Sequence, residues 1–469
     1  MTTLATRSTI VEQMRRIFTP RAVAVVGASA TPGKLGYAIV ENLKNGGFKG
    51  SVYPVNPGAK EILGYKCYTS LDEVPGDTDV ALISIPAKGV AGIIPSAGKK
   101  KIAALVVISS GFAETGERQM QLDLVAAARE HGVRILGPNI YGYYYTHANL
   151  CATFCTPYSE RGGVALVSQS GGVGMAILGY SRSRRMGVSA IVGLGNKSDV
   201  DEDDLLEFFG QDKNTEVVAI HMEDLKDGRA FFEAAKRVAK VKPVVVLKAG
   251  RTNLGAKAAA SHTAALAGVD QVYDAAFAQA GVIRARTLEE LLDWSRALQL
   301  LPDPQGENLV IITGAGGLGV LLADACVDRG LGLMSIPPDL DKQFKECIPP
   351  FGASGNPIDI TGGEPPETYR KAINIGLNDP RVHSMVIGYW HTVLTPPMVF
   401  AKLLAEVVDE ARARGIRKPI VAALAGDTEV EQAARHLEDH GIPAYPYAAE
   451  KAVAALAAKY RWWRSKTRA

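Results

Sequence analysis

Short apolar runs alternate with amphipathic helical stretches along the whole chain. The runs of strand character are rich in Val, Ile and Ala and end before glycine-rich or polar turns. They are Ala22 to Val26, Ser51 to Val55, Val80 to Ile85, Ala104 to Ile108, Val164 to Ser168, Val188 to Val192, Val217 to Ile220, Val244 to Leu247, Leu309 to Thr313, Ser384 to Ile387 and Ile420 to Ala423. This alternation predicts the α/β class, with parallel sheets covered by helices on both faces. Ligands in such folds bind at the carboxyl ends of the strands.

Two segments interrupt the alternation and are interpreted as joints. One runs from Tyr145 to Gly163, and the other is the Pro/Gly-rich polar stretch from Leu301 to Gly306. They predict three domains, at residues 12–145, 146–301 and 307–469. An internal repeat supports this division, because Val167 to Gly174 matches Ile312 to Gly319 as strand, glycine loop and helix start. The second and third domains are therefore predicted to share a fold.

Composition narrows the function classes. The 469 residues are 47% apolar and include 48 glycines, as in a globular protein with more than one core. The formal charge of +3 comes from 52 basic and 49 acidic residues without long blocks, which argues against a nucleic-acid partner. Five cysteines without a CxxC pair predict neither disulfides nor a metal site. No apolar run approaches the roughly 20 residues of a membrane span, so we expect a cytoplasmic protein with no membrane partner.

The first candidate motif runs from Val25 to Gly36, where a strand leads into a glycine-rich turn and an apolar helix. Backbone N–H groups, the helix N-terminus and Lys34 can donate to a phosphate, which is typical of a nucleotide-binding turn. However, Ser29 occupies the second glycine position of the GxGxxG fingerprint. The next strand ends in Asn56-Pro57, where an NAD-binding fold has an acidic residue. The alternative is a turn whose glycines serve only packing.

The second motif is a pair of possible anion cradles. Ser168 to Gly172 combines hydroxyls, backbone N–H groups and a helix N-terminus, and its repeat partner Thr313 to Gly317 offers the same groups. One such loop alone is more typical of a structural turn. Two in matching positions predict an anion in both domains.

The third motif contains His262, which lies among small residues after the strand Val244 to Leu247. A neutral imidazole attacks a phosphoryl group well when one nitrogen is free and an acceptor holds the other. Glu223, just past the strand Val217 to Ile220, is the candidate acceptor. The alternative is a structural histidine with satisfied hydrogen bonds.

With these motifs, nearly the whole chain resembles the ADP-forming acetate–CoA ligases and, more distantly, succinyl-CoA synthetase. Ser261-His262-Thr263 with Leu266-Ala267-Gly268 is similar to the phosphohistidine loop of that family. The resemblance implies a Rossmann-like CoA-binding domain followed by two flavodoxin-like domains.

The resemblance also implies roles for particular residues. Asn139, in Gly137-Pro138-Asn139, belongs to a turn near the thioester chemistry, and Glu223 orients the phosphohistidine. The helix N-termini that receive the phosphoryl group are Ser170, Gly171 and Gly172 and, in the repeat, Gly314, Ala315, Gly316 and Gly317. The CoA-contacting loops contain Gly27, Ser29, Lys34, Gly36, Asn56, Pro57, Ile85 and Pro86.

The implied reaction converts a small carboxylic acid, CoA and ATP into acyl-CoA, ADP and phosphate, through an acyl phosphate and phosphorylated His262. The signatures of an ATP-grasp module are not found in this sequence. The resemblance therefore implies a separate ATP-grasp β subunit that binds ATP or ADP and magnesium, in an α2β2 assembly.

Two departures from the family pattern bear on the substrate. Aromatic residues follow the turn at Asn139, in Ile140-Tyr141-Gly142-Tyr143-Tyr144-Tyr145, and Cys151 precedes Ala152-Thr153-Phe154. The aromatic side chains either shape an acyl pocket or pack in the core. Asn356 to Ile360 resembles a family stretch near the acid site, but it equally fits a loop and a strand.

Two other functions are weighed against the ligase. A non-catalytic CoA-binding regulatory subunit would need neither His262 nor Glu223. An NAD-dependent oxidoreductase is disfavoured by the broken fingerprint.

Overall fold

A computed structural model describes residues 4–158, 160–257 and 269–467. The chain divides into two units, Met1–Leu292 and Asp293–Ala469. The strands are β1 Ala22–Val26, β2 Ser51–Val55, β3 Glu61–Ile62, β4 Tyr65–Lys66, β5 Val80–Ile83, β6 Ala104–Val107, β7 Arg134–Leu136, β8 Gly142–Tyr145, β9 Leu150–Thr153, β10 Arg161–Ser168, β11 Val188–Gly193, β12 Val217–Met222, β13 Val244–Lys248, β14 Ile283–Ala285, β15 Leu309–Thr313, β16 Ile358–Asp359, β17 Ser384–Trp390, β18 Ile420–Ala425 and β19 Ala444–Pro446.

Helices fill most of the connections between these strands. They are α1 Leu4–Phe18, α2 Leu35–Asn45, α3 Ala87–Val90, α4 Ile94–Lys99, α5 Arg118–Glu130, α6 Gly171–Ser183, α7 Glu202–Gln211, α8 Gly228–Ala239, α9 Asp270–Ala280, α10 Leu288–Leu300, α11 Gly316–Asp328, α12 Pro338–Cys347, α13 Pro366–Asn378, α14 Pro397–Ala413, α15 Glu429–Asp439 and α16 Ala449–Thr467. Within the described residues, no helix is long and apolar enough to cross a membrane.

The first sheet has five parallel strands in the order β2-β1-β5-β6-β7. All five residues of β1 are buried, as its unbroken Ala-Val sequence predicts for a strand covered on both faces. The chain reverses its direction of winding between β1 and β5, and the loops after these strands diverge there. That divergence forms a crevice at the carboxyl edge.

The second sheet has seven strands in the order β14-β13-β12-β10-β11-β8-β9. The strands β10 to β14 are parallel, and the hairpin β8–β9 joins the edge antiparallel to β11. The predicted domain boundary at residues 145 and 146 falls between the two hairpin strands. Both hairpin strands nevertheless belong to the second sheet, because β8 pairs with β11 and β9 pairs with β8.

Three tyrosines of the hairpin lie in the core. Tyr143 donates its hydroxyl to Ile17 O at 2.6 Å, Tyr144 donates to Thr156 O at 2.8 Å, and Tyr145 donates to Asp212 at 3.0 Å. All three side chains are almost fully buried. The structure therefore places these aromatic residues in packing roles.

The third sheet, in the unit Asp293–Ala469, has the order β16-β15-β17-β18-β19. This order is the same as that of the parallel strands of the second sheet, with the first strand between the second and the third. The equivalent hydroxyls also match, because Ser168 donates to Ser170 O at 2.8 Å and Thr313 donates to Ala315 O at 3.0 Å. The shared fold predicted from the internal repeat is confirmed.

Candidate active site

A cavity of about 1070 Å³ opens at the carboxyl edge of the second sheet, beside the switch point between β10 and β12. Its walls come from the loops after β10, β11 and β12, from the turn before β8, and from helix α5. Its lining includes five predicted site residues and several others, namely Asn139, Ser170, Gly171, Gly172, Glu223, Gln169, Asn196, Asp224, Lys226, Glu114, Arg118, Gln121 and Leu122.

The N-terminus of α6 faces this cavity. Ser170 is the N-cap, and its hydroxyl accepts a hydrogen bond from Val173 N at 3.5 Å. A Cβ added at Gly171 or Gly172 would meet no described atom within 4 Å. As far as residues 4–158, 160–257 and 269–467 are concerned, the space in front of this helix start is open, and its first N–H groups need acceptors, which favours an anion.

Glu223 sits on a turn that the neighbouring loop holds in place. The side-chain carbonyl of Gln169 accepts hydrogen bonds from Glu223 N at 2.7 Å and Asp224 N at 3.3 Å. The amide nitrogen of Gln169 donates to Asp224 Oδ1 at 2.7 Å. The loops after β10 and β12 are therefore locked together at the edge of the cavity.

His221 lies beneath the same edge but has a different character. Its side chain is buried, and Ser168 Oγ lies 3.3 Å from its Nδ1. Burial and the nearby Lys248 lower the pKa of His221 to about 4, so the imidazole is neutral at pH 7. We interpret His221 as a structural histidine.

The turn containing Asn139 forms the opposite wall. Asn139 has a positive φ of 63°, and its side chain donates to Asn196 Oδ1 at 3.4 Å. Asn196 in turn donates to Glu114 at 2.5 Å and to Gln121 at 2.9 Å. Sequence reasoning missed Asn196, although its place after the predicted strand Val188 to Val192 was a usable signal. Glu114 and Gln121 carry no comparable signal, because they reach the site from α5 and the loop before it.

A smaller cavity of about 460 Å³ lies at the carboxyl edge of the first sheet. Gly27, Asn56, Pro57 and Ile85 line it, in agreement with their predicted grouping. Asn56 braces the loop after β1, because its side chain donates to Ala28 O at 2.7 Å and accepts from Gly58 N at 2.8 Å.

The other predicted residues of this region belong to the same loops or to the helices that follow them. Ser29 Oγ accepts a hydrogen bond from Thr31 N at 3.1 Å, and the exposed Lys34 is the N-cap of α2. Gly36 packs directly on the Gly27 carbonyl, and Pro86 is the N-cap of α3.

A serine connects the two cavities. Ser109 Oγ donates to Ile85 O at 2.5 Å, and Ser109 O accepts from Asn139 N at 3.0 Å. The loop after β6 therefore contacts the lining of both cavities, at Ile85 in the smaller one and at Asn139 in the larger one.

The remaining predicted residues lie elsewhere. Gly314, Ala315, Gly316 and Gly317 form the start of α11 in the unit Asp293–Ala469. A Cβ at Gly314 would collide with the Tyr369 hydroxyl, and one at Gly316 would lie 2.7 Å from Asp359 Oδ2. His262 lies outside the described residues.

Three family models match consecutive parts of the chain. A CoA binding domain matches residues 21–146, a succinyl-CoA ligase-like flavodoxin domain matches residues 161–298, and a ligase-CoA domain matches residues 309–469. These matches define a CoA ligase of the succinyl-CoA ligase type. The predicted Rossmann-like CoA-binding domain followed by two flavodoxin-like domains is confirmed.

The chain belongs to the family of ADP-forming acetate–CoA ligases. It is 47% identical over 461 residues to the α subunit of acetate–CoA ligase (ADP-forming) I of Pyrococcus furiosus, covering 97% of this chain and 99% of that subunit. It is 40% identical over 450 residues to the acetate–CoA ligase (ADP-forming) of Methanocaldococcus jannaschii, covering 96% of this chain but 63% of that longer relative. The resemblance inferred from the motifs is confirmed.

A solved structure supports the same relationship. The dinucleotide-forming acetyl-coenzyme A synthetase 1 of Candidatus Korarchaeum cryptofilum, in complex with phosphate and ADP, superposes with a TM-score of 0.94. It is 42% identical, and the match covers 97% of both chains. The fold described here is therefore that of the family over nearly its full length.

Proposed function

We propose that this chain is the α subunit of a cytoplasmic ADP-forming acyl-CoA synthetase, which interconverts a carboxylic acid, CoA and ATP with acyl-CoA, ADP and phosphate. The observation that carries the proposal is the single cavity that gathers Asn139, the α6 N-terminus at Ser170 to Gly172, and Glu223. An anion-binding helix start beside a carboxylate is what phosphoryl transfer through a histidine requires. The regulatory-subunit and oxidoreductase alternatives find no support in the relatives.

The proposed chemistry uses His262 as the phosphoryl carrier. The acid's carboxylate oxygen attacks the phosphorus of phosphorylated His262, the N–P bond breaks, and an acyl phosphate forms. The CoA thiolate then attacks the acyl carbon, the C–O bond to the phosphate breaks, and inorganic phosphate leaves. Backbone N–H groups at Gly171 and Gly172 stabilise the charge in both steps, and Glu223 holds the imidazole in the reactive tautomer.

The smaller cavity suits the nucleotide part of CoA. Gly27 lets the chain turn with a φ of 89°, and an added Cβ there would lie 2.9 Å from Ser84 O. The turn therefore requires glycine at this position, and in this proposal Lys34 at the start of α2 supplies a positive charge to a phosphate. The contacts of Ser109 tie the loop at Ile85 to the turn at Asn139, and in this proposal the thiol arm of CoA reaches from the smaller cavity to the larger one.

The nucleotide half of the reaction belongs, in this proposal, to a separate ATP-grasp β subunit with magnesium, in an α2β2 assembly. The chain matches 99% of a relative named as an α subunit but 63% of a relative that is one longer chain. The part of the longer relative that this chain does not match, just over a third of its length, leaves room for an additional module. A β subunit would supply the same module from outside.

The acid is a small carboxylic acid whose identity the family leaves open. Relatives that match 95% of this chain are named 4-hydroxybutyrate–CoA ligase, at 36% identity, and trans-feruloyl-CoA synthase, at 33% identity. Acids of different size are thus handled by one chain architecture.

Mass spectrometry of the full chain tests the carrier role. We expect incubation with acetyl phosphate, or with the ATP-grasp partner, magnesium and ATP, to add one phosphoryl group to the His262 peptide under mildly alkaline conditions. The His262→Ala variant should carry no label. Absence of label on the wild-type chain with partner and nucleotide present would contradict the mechanism and favour the regulatory subunit.

A further inference from the structure

A buried lysine lies in the loop after β11, between the two walls of the larger cavity. The Lys197 side chain is 1% exposed. Its ammonium donates to Glu202 Oε1 at 2.9 Å and to Asp224 O at 2.7 Å, and lies 3.0 Å from Asp224 Oδ1. Glu202 Oε2 lies 3.2 Å away as well, so the three N–H donors of the ammonium have four acceptor oxygens around them. Burial opposes the charge, but Glu202 and Asp224 outweigh it and raise the pKa of Lys197.

From Lys197 a short chain of contacts leads to Glu223. The Asp224 carboxylate that pairs with Lys197 also accepts from Gln169 Nε2 at 2.7 Å. The carbonyl of the same Gln169 side chain holds Glu223 N at 2.7 Å. The position of the Glu223 backbone is therefore set by the buried Gln169 side chain, which Lys197 fixes through Asp224.

The same loop holds the Asn139 wall. Ser198 N donates to Gly137 O at 2.8 Å, and Asn196 N donates to Pro138 O at 3.0 Å. A Cβ at Gly195 would collide with the Asn139 carbonyl, so this loop packs tightly on the turn. Residues 195–198 thus form a bridge with Glu223 on one side and Asn139 on the other.

Fold stability alone does not account for this arrangement. Replacing a buried ion pair by apolar residues of similar volume is often neutral or stabilising, so stability does not by itself require the pair. A fully hydrogen-bonded buried network does specify one geometry. The geometry specified here is that of the cavity edge.

We propose that Lys197 is a positioning residue that fixes Glu223 relative to Asn139 and thereby sets the rate of phosphoryl transfer. This inference rests on the proposed role of Glu223. Lys197 touches no reacting atom, so its effect must pass through Glu223. A double-mutant cycle separates that route from a general loss of structure.

The cycle comprises wild type, Lys197→Met, Glu223→Gln and the double variant. The measured quantity is the single-turnover rate of His262 phosphorylation by acetyl phosphate, followed by rapid quench and mass spectrometry. We expect Lys197→Met to slow wild type by about 10- to 100-fold, because small misplacements of catalytic groups have effects of this size. In the Glu223→Gln background, Lys197→Met should slow the reaction by less than about 3-fold. The contribution of the Glu223 carboxylate, through which Lys197 acts, is already lost in that background.

Equal slowing in both backgrounds, or no slowing in wild type, would overturn the inference while leaving the proposed function intact. An unlabelled wild-type chain would instead overturn the proposed function, and the inference with it. The two failures are therefore distinguishable in one data set.

Two further variants guard against misfolding. Gln169→Leu interrupts the same chain of contacts without leaving an unpaired charge inside, and it should show the same dependence on Glu223. The matched control is Arg237→Met, which removes the partly buried pair of Arg237 with Glu207 on helices α8 and α7. We expect its phosphorylation rate to stay within about 2-fold of wild type. A Gln169→Leu effect independent of Glu223 would count against the positioning role.

Discussion

At the scale of single residues, the predicted CoA turn depends on Gly36, which has no room for a side chain. A Cβ there would collide with the Gly27 carbonyl and lie 2.9 Å from Ala28 Cα. Gly179, inside α6, is a matched contrast, because a Cβ there would meet no described atom within 4 Å. Substitution by alanine is therefore expected to change the free energy of unfolding in opposite directions at these two positions.

We predict that Gly36→Ala lowers the free energy of unfolding by about 1–3 kcal/mol, because α2 must move away from the turn. The same movement should weaken CoA binding, measured by isothermal titration calorimetry. Gly179→Ala should raise the free energy of unfolding by roughly 0.5–1 kcal/mol, since alanine is favoured over glycine inside a helix. Unchanged CoA affinity in a destabilised Gly36→Ala variant would contradict the proposed role of this turn.

Site residues that come directly after a predicted strand could be placed from the sequence alone. Ser170 and Glu223 each lie just past a recognisable apolar run, and neighbouring parallel strands bring their loops to one edge. Contacts such as Gln169 to Glu223 N or Asn196 to Gln121 depend on side-chain direction and on helix α5, which no sequence period encodes. The sequence therefore predicts which residues line the cavity, but not the side-chain hydrogen bonds that hold them in place.

At the scale of elements, the hairpin β8–β9 carries three tyrosines of the aromatic run, and Tyr141 directly precedes it. The Tyr143 hydroxyl donates to Ile17 O inside the core, and its ring lies 5.5 Å from that of Phe18. Tyr141 differs, because its buried hydroxyl has no partner among the described residues. Removing the hydroxyl from each tyrosine therefore distinguishes the contribution of the Tyr143 hydrogen bond from that of ring packing alone.

We predict that Tyr143→Phe lowers the free energy of unfolding by about 1–3 kcal/mol, because the buried Ile17 carbonyl loses its donor. The ratio of kcat/KM values for acetate and for a bulkier acid should remain within about 2-fold of wild type. Tyr141→Phe should be neutral or slightly stabilising in urea denaturation, since no described hydrogen bond is lost. A changed acid preference in Tyr143→Phe at unchanged stability would support the acyl-pocket interpretation instead.

Long buried strands were predictable, whereas short edge strands were not. Ala22–Val26 and Leu309–Thr313 match their predicted bounds, because continuous apolar runs mark strands covered on both faces. Edge strands such as Arg134–Leu136 and Ala444–Pro446 have three residues each and mixed composition, so they leave no period to detect. The antiparallel hairpin escaped prediction because its pairing with β11 is long-range.

At the scale of the whole molecule, the second and third sheets repeat one strand order around matching glycine loops. The two loops are nevertheless unequal. No atom of the described residues lies within 4 Å of a Cβ added at Gly171 or Gly172, whereas the Asp359 carboxylate lies 2.7 Å from a Cβ added at Gly316. A carboxylate near a helix N-terminus competes with an anionic ligand for the same N–H groups. We infer that the first loop is the stronger anion site of the two.

The division of labour between subunits gives the last prediction. If His262 carries the phosphoryl group between an acyl site on this chain and a nucleotide site on an ATP-grasp partner, neither polypeptide alone can make ATP. We expect a mixture of the two with acetyl-CoA, phosphate, ADP and magnesium to form ATP, measured by a luciferase assay. A mixture with the His262→Ala chain should form none, although light scattering should show the same α2β2 mass. ATP formation by this chain alone would contradict the proposal, because it would place the nucleotide site here.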